Sequence, residues 1–263
     1  MGAAGDWAAQ MRKILPPRVI EVVPNQASLG ERAAEEFIQL ADKELRTRSL
    51  FTVALAGGST PQKMYFLLSE AHLSWDRIHF FWGDERCLPP EDEDSNYHMA
   101  YEALLKSISI PSENIHRIQG ELPMEQAAQT YEEDLRVFFG TTTPRFGLIL
   151  LGMGRDGHTA SLFPGTSAAN ETSHWVTPVF HNVPPPPVVD RVTLTLPVLN
   201  AAAHILFLIS GSEKAKILAK VLQSPIQPEL FPVQAVKPVS GTLHWLVDQD
   251  AAAALPTKHP NYE

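Results

Sequence analysis

Short apolar runs alternate along the chain with longer stretches in which apolar residues recur every three or four positions. Residues 18–23 read as a strand. Asn25 to Arg48 follows as a helix with Leu29, Ala33, Phe37, Leu40 and Ala41 on one face. Residues 51–56 are nearly all apolar, the pattern of a strand covered on both faces. A helix from about Pro61 to Ala71 comes next, then a strand at 78–82 and a polar loop from Asp92 to Asn96. Helices are expected over 97–106 and 124–139, and a strand over 146–151 that runs into a glycine-rich turn. Val183 and the four prolines 184–187 form an extended, stiff segment. Residues 191–196 set Val192, Leu194 and Leu196 against Thr193 and Thr195, as a strand does. A strand at 204–209, a helix at 213–222 and a strand at 242–247 complete the pattern. Strands alternating with helices predict an α/β fold with a mostly parallel sheet covered on both faces. No repeat or linker composition breaks the chain. One domain is expected over 18–255, between an N-terminal tail (1–17) and a C-terminal tail (256–263). In such sheets ligands bind outside the carboxyl ends of the strands, beside a topological switch point.

Composition narrows the picture. With 263 residues and 44% hydrophobic content, the chain has ample material for a core, which excludes wholesale disorder. Its 21 Lys and Arg against 30 Asp and Glu leave a formal net charge of −9. That balance argues against a nucleic acid or an anionic membrane as partner. It leaves room for one small anionic substrate held by a few local cations. The lone cysteine, Cys87, excludes an internal disulfide and a Cys-based zinc cluster, and it is expected as a half-buried or buried small hydrophobe. Apolar runs such as 205–209 fall far short of the roughly 20 residues that span a bilayer. The first residues lack a basic start followed by an apolar stretch, so a secretory signal is not expected and the cytoplasm is the expected location.

Three segments and a set of scattered cations are candidates to carry chemistry. Gly57-Gly58-Ser59-Thr60-Pro61 sits between a strand and a helix. Its glycines let backbone approach a ligand, Ser59 or Thr60 can cap the helix, and Pro61 suits its first position. The segment reads equally as an anion site at a helix N-terminus or as an ordinary capped turn. Gly83-Asp84-Glu85-Arg86 follows the third strand and suits a polar ligand, or else forms a solvated turn with an internal ion pair. Gly152-Met153-Gly154-Arg155-Asp156-Gly157-His158 follows a further strand. Histidine is the side chain best suited to general-base work near neutral pH, and Asp156, two residues earlier, can orient it; the other reading is a structural histidine that caps a glycine turn. With no nucleophile elbow in the pattern, water is the nucleophile to expect. Arg191 and Lys214 are scattered cations, each of which taken alone reads as a solvated surface charge or as a contact to an anion. A lysine in a first helical turn runs against the helix dipole, and a ligand anion would explain it. The ten histidines show no metal-binding spacing.

Together these segments resemble the 6-phosphogluconolactonase family. The resemblance rests on Ala56–Pro61, Gly83–Arg86, Asp94-Ser95-Asn96-Tyr97, Gly152 through Pro164, Arg191–Thr195, Leu199–Ala202 and Ser210–Ala215, in order, from about residue 18 to residue 250. It implies a three-layer α/β/α, Rossmann-like fold. It implies hydrolysis of 6-phospho-D-glucono-1,5-lactone to 6-phospho-D-gluconate without metal or organic cofactor. The sequence leaves the oligomeric state open, monomer or dimer. By position, His158 would activate water and Asp156 would support it. Gly57, Gly58, Ser59, Thr60, Asp84, Glu85, Arg86, Arg191 and Lys214 would line the substrate pocket, the cations facing the phosphate. Two alternatives stand beside this reading. An amino-sugar-phosphate isomerase or deaminase shares the glycine turn and the Asp-Gly-His core, but it carries a glutamate where Phe163 stands here. A sugar-phosphate sensor without turnover would need a nucleic-acid-binding segment for which residues 1–17 are too short.

Overall fold

The computed structural model describes residues 18–182 and 186–256. The two expected tails and the first residues of the proline-rich segment, Val183 to Pro185, lie outside the described residues, apart from Pro256.

The apolar runs assemble into a six-stranded, wholly parallel sheet in the order β1-β9-β8-β5-β2-β3. Its strands are β1 (Arg18–Val23), β2 (Phe51–Leu55), β3 (Ile78–Trp82), β5 (Leu148–Leu151), β8 (His204–Ile209) and β9 (Thr242–Asp248). Every residue of β2 and β5 is buried, which is why these strands lack polar–apolar alternation. The chain passes from β2 outward to β3 and then returns to β5 on the other side of β2. The switch point therefore lies between the carboxyl ends of β2 and β5.

Helix α1 (Gln26–Thr47) buries Leu29, Ala33, Phe37 and Ala41. The Asn25 side chain accepts a hydrogen bond from the Ser28 amide and closes its N-terminus. The Phe37 ring packs edge-on against Phe51 at 5.8 Å and stacks near Phe80 at 6.3 Å. Burying one such side chain stabilises the fold by about 1.5–3 kcal/mol. Helices α2 (Ser59–Ser69), α3 (Asn96–Ala103) and α4 (Met124–Phe139) follow, then α5 (Leu196–Ala201), α6 (Ala215–Gln223) and the short α7 (Gln249–Ala252). The expected 191–196 strand stops at Leu194 because Pro197 starts α5. The expected 97–106 helix starts one residue earlier, on a Ser95 cap, and ends at Ala103.

A second sheet was not foreseen. Strands β4 (Asp84–Arg86), β7 (Arg191–Leu194) and β6 (Val176–Val179) form an antiparallel triplet in the order β4-β7-β6. β4 is too short and too charged to show a period, and Pro178 disguises the edge strand β6. The expectation of a solvated turn at 83–86 does not hold: Asp84 is 8% exposed and Glu85 2%.

Glu85 explains its own burial. Its Oε1 accepts the amides of Arg86 and Asn96, each at 2.7 Å; its Oε2 accepts the Tyr97 amide at 2.7 Å and the Ser95 hydroxyl at 3.1 Å. It thus caps α3 across eleven residues of sequence, where an acidic group meets the positive end of the helix. Burial pushes its carboxyl up to about 7, against the pull of the three amides. Glu85→Ala leaves those donors unpaired, at about 1–3 kcal/mol for each group that stays buried. The melting temperature should fall by at least roughly 5 °C, since 1 kcal/mol moves a domain of this size by about 2–4 °C. An unchanged melting curve would remove Glu85 from this role.

Candidate active site

The cleft opens at the switch point, with a volume of about 540 Å³. Its walls are the turns after β2, β3, β5 and β8, together with Arg191 from β7. Two buried tyrosines tie off the strand ends below it. The Tyr65 hydroxyl accepts the Ala56 amide and donates to the Ala56 carbonyl, and Tyr131 does the same for Trp82. Burial pushes both phenols upward, so they remain neutral donors.

The helix that follows β2 has no side-chain cap. Gly58, at φ 88°, takes the cap position of α2, and neither Ser59 nor Thr60 caps the helix with its side chain. Pro61 falls at the third helical position rather than the first. No acidic residue sits in the first turn, and Gly58, Ser59 and Thr60, at the positive end of the helix dipole, line the cleft. Gly57 is obligatory, because a Cβ there would lie 1.8 Å from Asn96 Oδ1.

On the opposite wall the register of β4 and β7 sets Arg86 against Arg191. Like charges facing each other across strands are destabilising. Arg191 is 5% exposed, and the Nε of each arginine is buried without a hydrogen-bond partner. Arg191 donates one Nη hydrogen to the Pro187 carbonyl at 3.0 Å, and Arg86 donates to the Asp94 carbonyl. Burial depresses the Arg191 guanidinium, and Asp84 opposes that shift most strongly. The pair asks for an anion. Asp84 also lines the cleft, but its Oδ2 accepts the Ser161 hydroxyl at 2.6 Å. Ser161 in turn takes Thr193 Oγ1 as acceptor for its amide, so the loop that carries His158 is stapled to the small sheet.

The turn after β5 holds the Asp156–His158 pair. His158 Nδ1 lies 2.6 Å from Asp156 Oδ1, which also accepts the His158 amide at 3.1 Å. Burial works to raise the Asp156 carboxyl, but the hydrogen bond and charge of His158 hold it below the usual carboxylate range. The stability this contact contributes is present above that range and is lost as pH falls through the depressed value. With Nδ1 given to the carboxylate, Nε2 is the nitrogen that can accept a proton. Gly154 makes the arrangement possible: a Cβ there would come within 2.1 Å of His158 Nδ1.

Lys214 ends a 3-10 turn (Ser212–Lys214) and precedes α6 instead of lying inside the expected 213–222 helix. Asp248 anchors this turn by accepting the Ser210 hydroxyl at 2.5 Å and the Gly211 amide at 3.2 Å. Burial lowers the Lys214 ammonium, Glu213 opposes that shift and Arg155 adds to it.

Gly57, Gly58, Ser59, Thr60, Asp84, Arg86, His158, Arg191 and Lys214 therefore meet in one cleft. Asp156 stands behind His158. Glu85 is the exception, because its carboxylate is consumed by the cap of α3 and it does not line the cleft. Gln26, Asn96 and Ala160 also line it and were not foreseen as site residues. Asn96 lies in the Asp94–Tyr97 motif and had a signal, whereas Gln26 at the start of α1 had none. Cys87 is half-buried, with its thiol pushed up to about 11 by burial, which leaves it unreactive near neutral pH. Among the described residues, Glu21, Glu36 and His244 lie close enough together to share a cation. None of them lines the cleft, and Arg32 already pairs with both carboxylates. No helix among the described residues is long and apolar enough to cross a membrane.

An open α/β sheet with an uncapped helix N-terminus, a facing arginine pair and a single Asp–His pair at its switch point defines a protein for small anionic ligands. Comparison with known proteins agrees with this geometry. Residues 24–245 match the model of the glucosamine-6-phosphate isomerases/6-phosphogluconolactonase family. A 6-phosphogluconolactonase of Nostoc sp. is 37% identical over 90% of this chain and 98% of its own. One of Rattus norvegicus is 37% identical over 91% of this chain and 94% of its own. The crystal structure of 6-phosphogluconolactonase from Thermotoga maritima, 35% identical, superposes with a TM-score of 0.78 over 88% of this chain and 100% of that one. The chain belongs to the glucosamine-6-phosphate isomerase/6-phosphogluconolactonase family.

Gly154→Ala tests the geometry of the Asp156–His158 pair without an assay of turnover. The added methyl must displace the imidazole, so the low-field proton resonance of the Asp156–His158 hydrogen bond should vanish while the fold persists. Retention of that resonance would show that the ring does not depend on the glycine.

Proposed function

We propose that this protein hydrolyses 6-phospho-D-glucono-1,5-lactone to 6-phospho-D-gluconate, with His158 as the base that activates water. The observation that carries the proposal is the facing pair Arg86 and Arg191 in the same cleft as an Asp156-bound histidine. A δ-lactone is an activated ester, so no covalent intermediate is needed. The site has to place one water against the carbonyl carbon and remove its proton. His158 Nε2 takes that proton, and Asp156 keeps Nδ1 protonated and stabilises the imidazolium as it forms. The lactone C–O bond then breaks, and the ring oxygen leaves as the C5 hydroxyl after receiving the proton back from His158. The phosphate is a remote handle. Arg86 and Arg191 grip it, Lys214 adds charge from the other wall, and the turn from Gly57 to Thr60 offers amides and hydroxyls to the rest of the molecule.

The likeness to relatives named for this activity, over nearly their whole length, supports the reading. The isomerase or deaminase alternative is not favoured. Its enediol chemistry needs a further carboxylate after the histidine, where Phe163 is 5% exposed and packs on His158. Expression in the cytoplasm or in an organelle would suit the same chemistry.

His158→Ala should lower turnover roughly 10²- to 10⁴-fold with the fold intact, the usual range for a positioned general base. Acid release from freshly made lactone reads it directly, and near wild-type turnover would sink the assignment. Arg191→Ala should cost roughly 10- to 150-fold in kcat/KM on the phosphorylated lactone and far less on its unphosphorylated analogue, as expected for a lost charge-assisted hydrogen bond. Lys214→Ala should act in the same sense but more weakly, because an ammonium lacks the planar fork. Equal losses on both substrates would make these residues structural.

A further inference from the structure

We propose that Phe163 is a positioning residue that sets the catalytic base and the phosphate-binding arginine at a fixed separation. The proposal rests on the roles given above to His158 and Arg191. Phe163 is 5% exposed, and its ring touches both groups. The ring centroid lies 4.4 Å from that of the His158 imidazole at 49°, and the Arg191 guanidinium carbon lies 5.6 Å from the same ring. Phe163 is itself held in place. His181, 4% exposed, stacks on it at 4.3 Å and 16°, and the Thr166 hydroxyl donates to the Phe163 carbonyl at 2.8 Å.

The need for such a residue follows from the geometry of the base. The hydrogen bond from Nδ1 to Asp156 fixes one edge of the imidazole but permits it to tilt about that edge. Gly154 backbone closes against Nδ1, and Phe163 packs against the ring, so tilting is blocked. Arg191 has the converse problem. Its Nε is unpartnered and one Nη is tied to Pro187, and the Phe163 ring, within cation–π range of the guanidinium carbon, adds a second contact to its position. One ring therefore fixes the distance from the proton-accepting nitrogen to the phosphate grip. A substrate is productive only when its phosphate and its carbonyl carbon match that distance. Phe163 does not touch the reacting atoms and acts through the two groups that do.

The test is a double-mutant cycle on the full chain with phosphorylated and unphosphorylated lactone. Phe163→Leu keeps apolar bulk but removes the ring; it should lower kcat on both substrates roughly 10- to 100-fold, the scale of a small misplacement of a catalytic group. It should also raise KM several-fold for the phosphorylated lactone alone, the size of one lost cation–π contact. Phe163→Tyr retains the ring and should stay within about 3-fold of wild type in both parameters. In the His158→Ala background Phe163→Leu should no longer lower kcat, while its KM effect on the phosphorylated substrate persists. The proposal is overturned if Phe163→Leu lowers kcat by the same factor with and without His158, or if it melts earlier with normal kcat and KM. Should Phe163→Leu not fold, Phe163→Met carries the same comparison. A wild-type chain that does not accelerate lactone opening would instead overturn the functional reading, so the two failures are told apart.

Discussion

The pairing of β4 with β7 is the contact on which the site depends. Three residues on one strand and four on the other bring Arg86 and Arg191 face to face, two guanidiniums that repel unless an anion lies between or beside them. The neighbouring carboxylates do not fully quench them. Glu85 turns away to cap α3, and Asp84 is held by Ser161. The chain has thus placed a cationic grip in the wall of a protein with a net charge of −9. Only local geometry, not overall charge, makes that possible.

The same pairing couples the two chemical halves. Ser161 reaches Asp84 and Thr193 from the loop that carries His158, and Phe163, two residues further on, lies against both His158 and Arg191. The loop that carries His158 is therefore built onto the small sheet as well as onto β5. The parallel sheet contributes in another way. Its switch point between β2 and β5 leaves a crevice, Tyr65 and Tyr131 finish the strand ends, and the turn at Gly57 leaves the amides of α2 open to a ligand.

Much of this was legible from the chain. The parallel strands announce themselves as apolar runs, because both of their faces are covered. The Asp156–His158 pair was legible because a glycine-rich turn after such a strand has few uses besides bringing backbone and a ligand together. The second sheet was not legible. β4 is three residues long, all of them charged, and its burial depends on partners eleven and 77 positions away, Asn96 and Ser161. For the same reason Glu85 looked like a ligand to the substrate when it is a helix cap, since a long-range cap leaves no local spacing to read. Asp248, which anchors the Lys214 turn from the end of β9, escaped notice in the same way.

In the proposed complex the substrate lies with its phosphate at the arginine pair and its carbonyl carbon at His158. A crystal structure with 6-phospho-D-gluconate bound tests it most directly. The phosphate is expected against Arg86 and Arg191, and the carboxylate carbon, which was the lactone carbonyl, within one water of His158 Nε2. A phosphate beside His158, or a sugar bound with no contact to either arginine, would rule this orientation out.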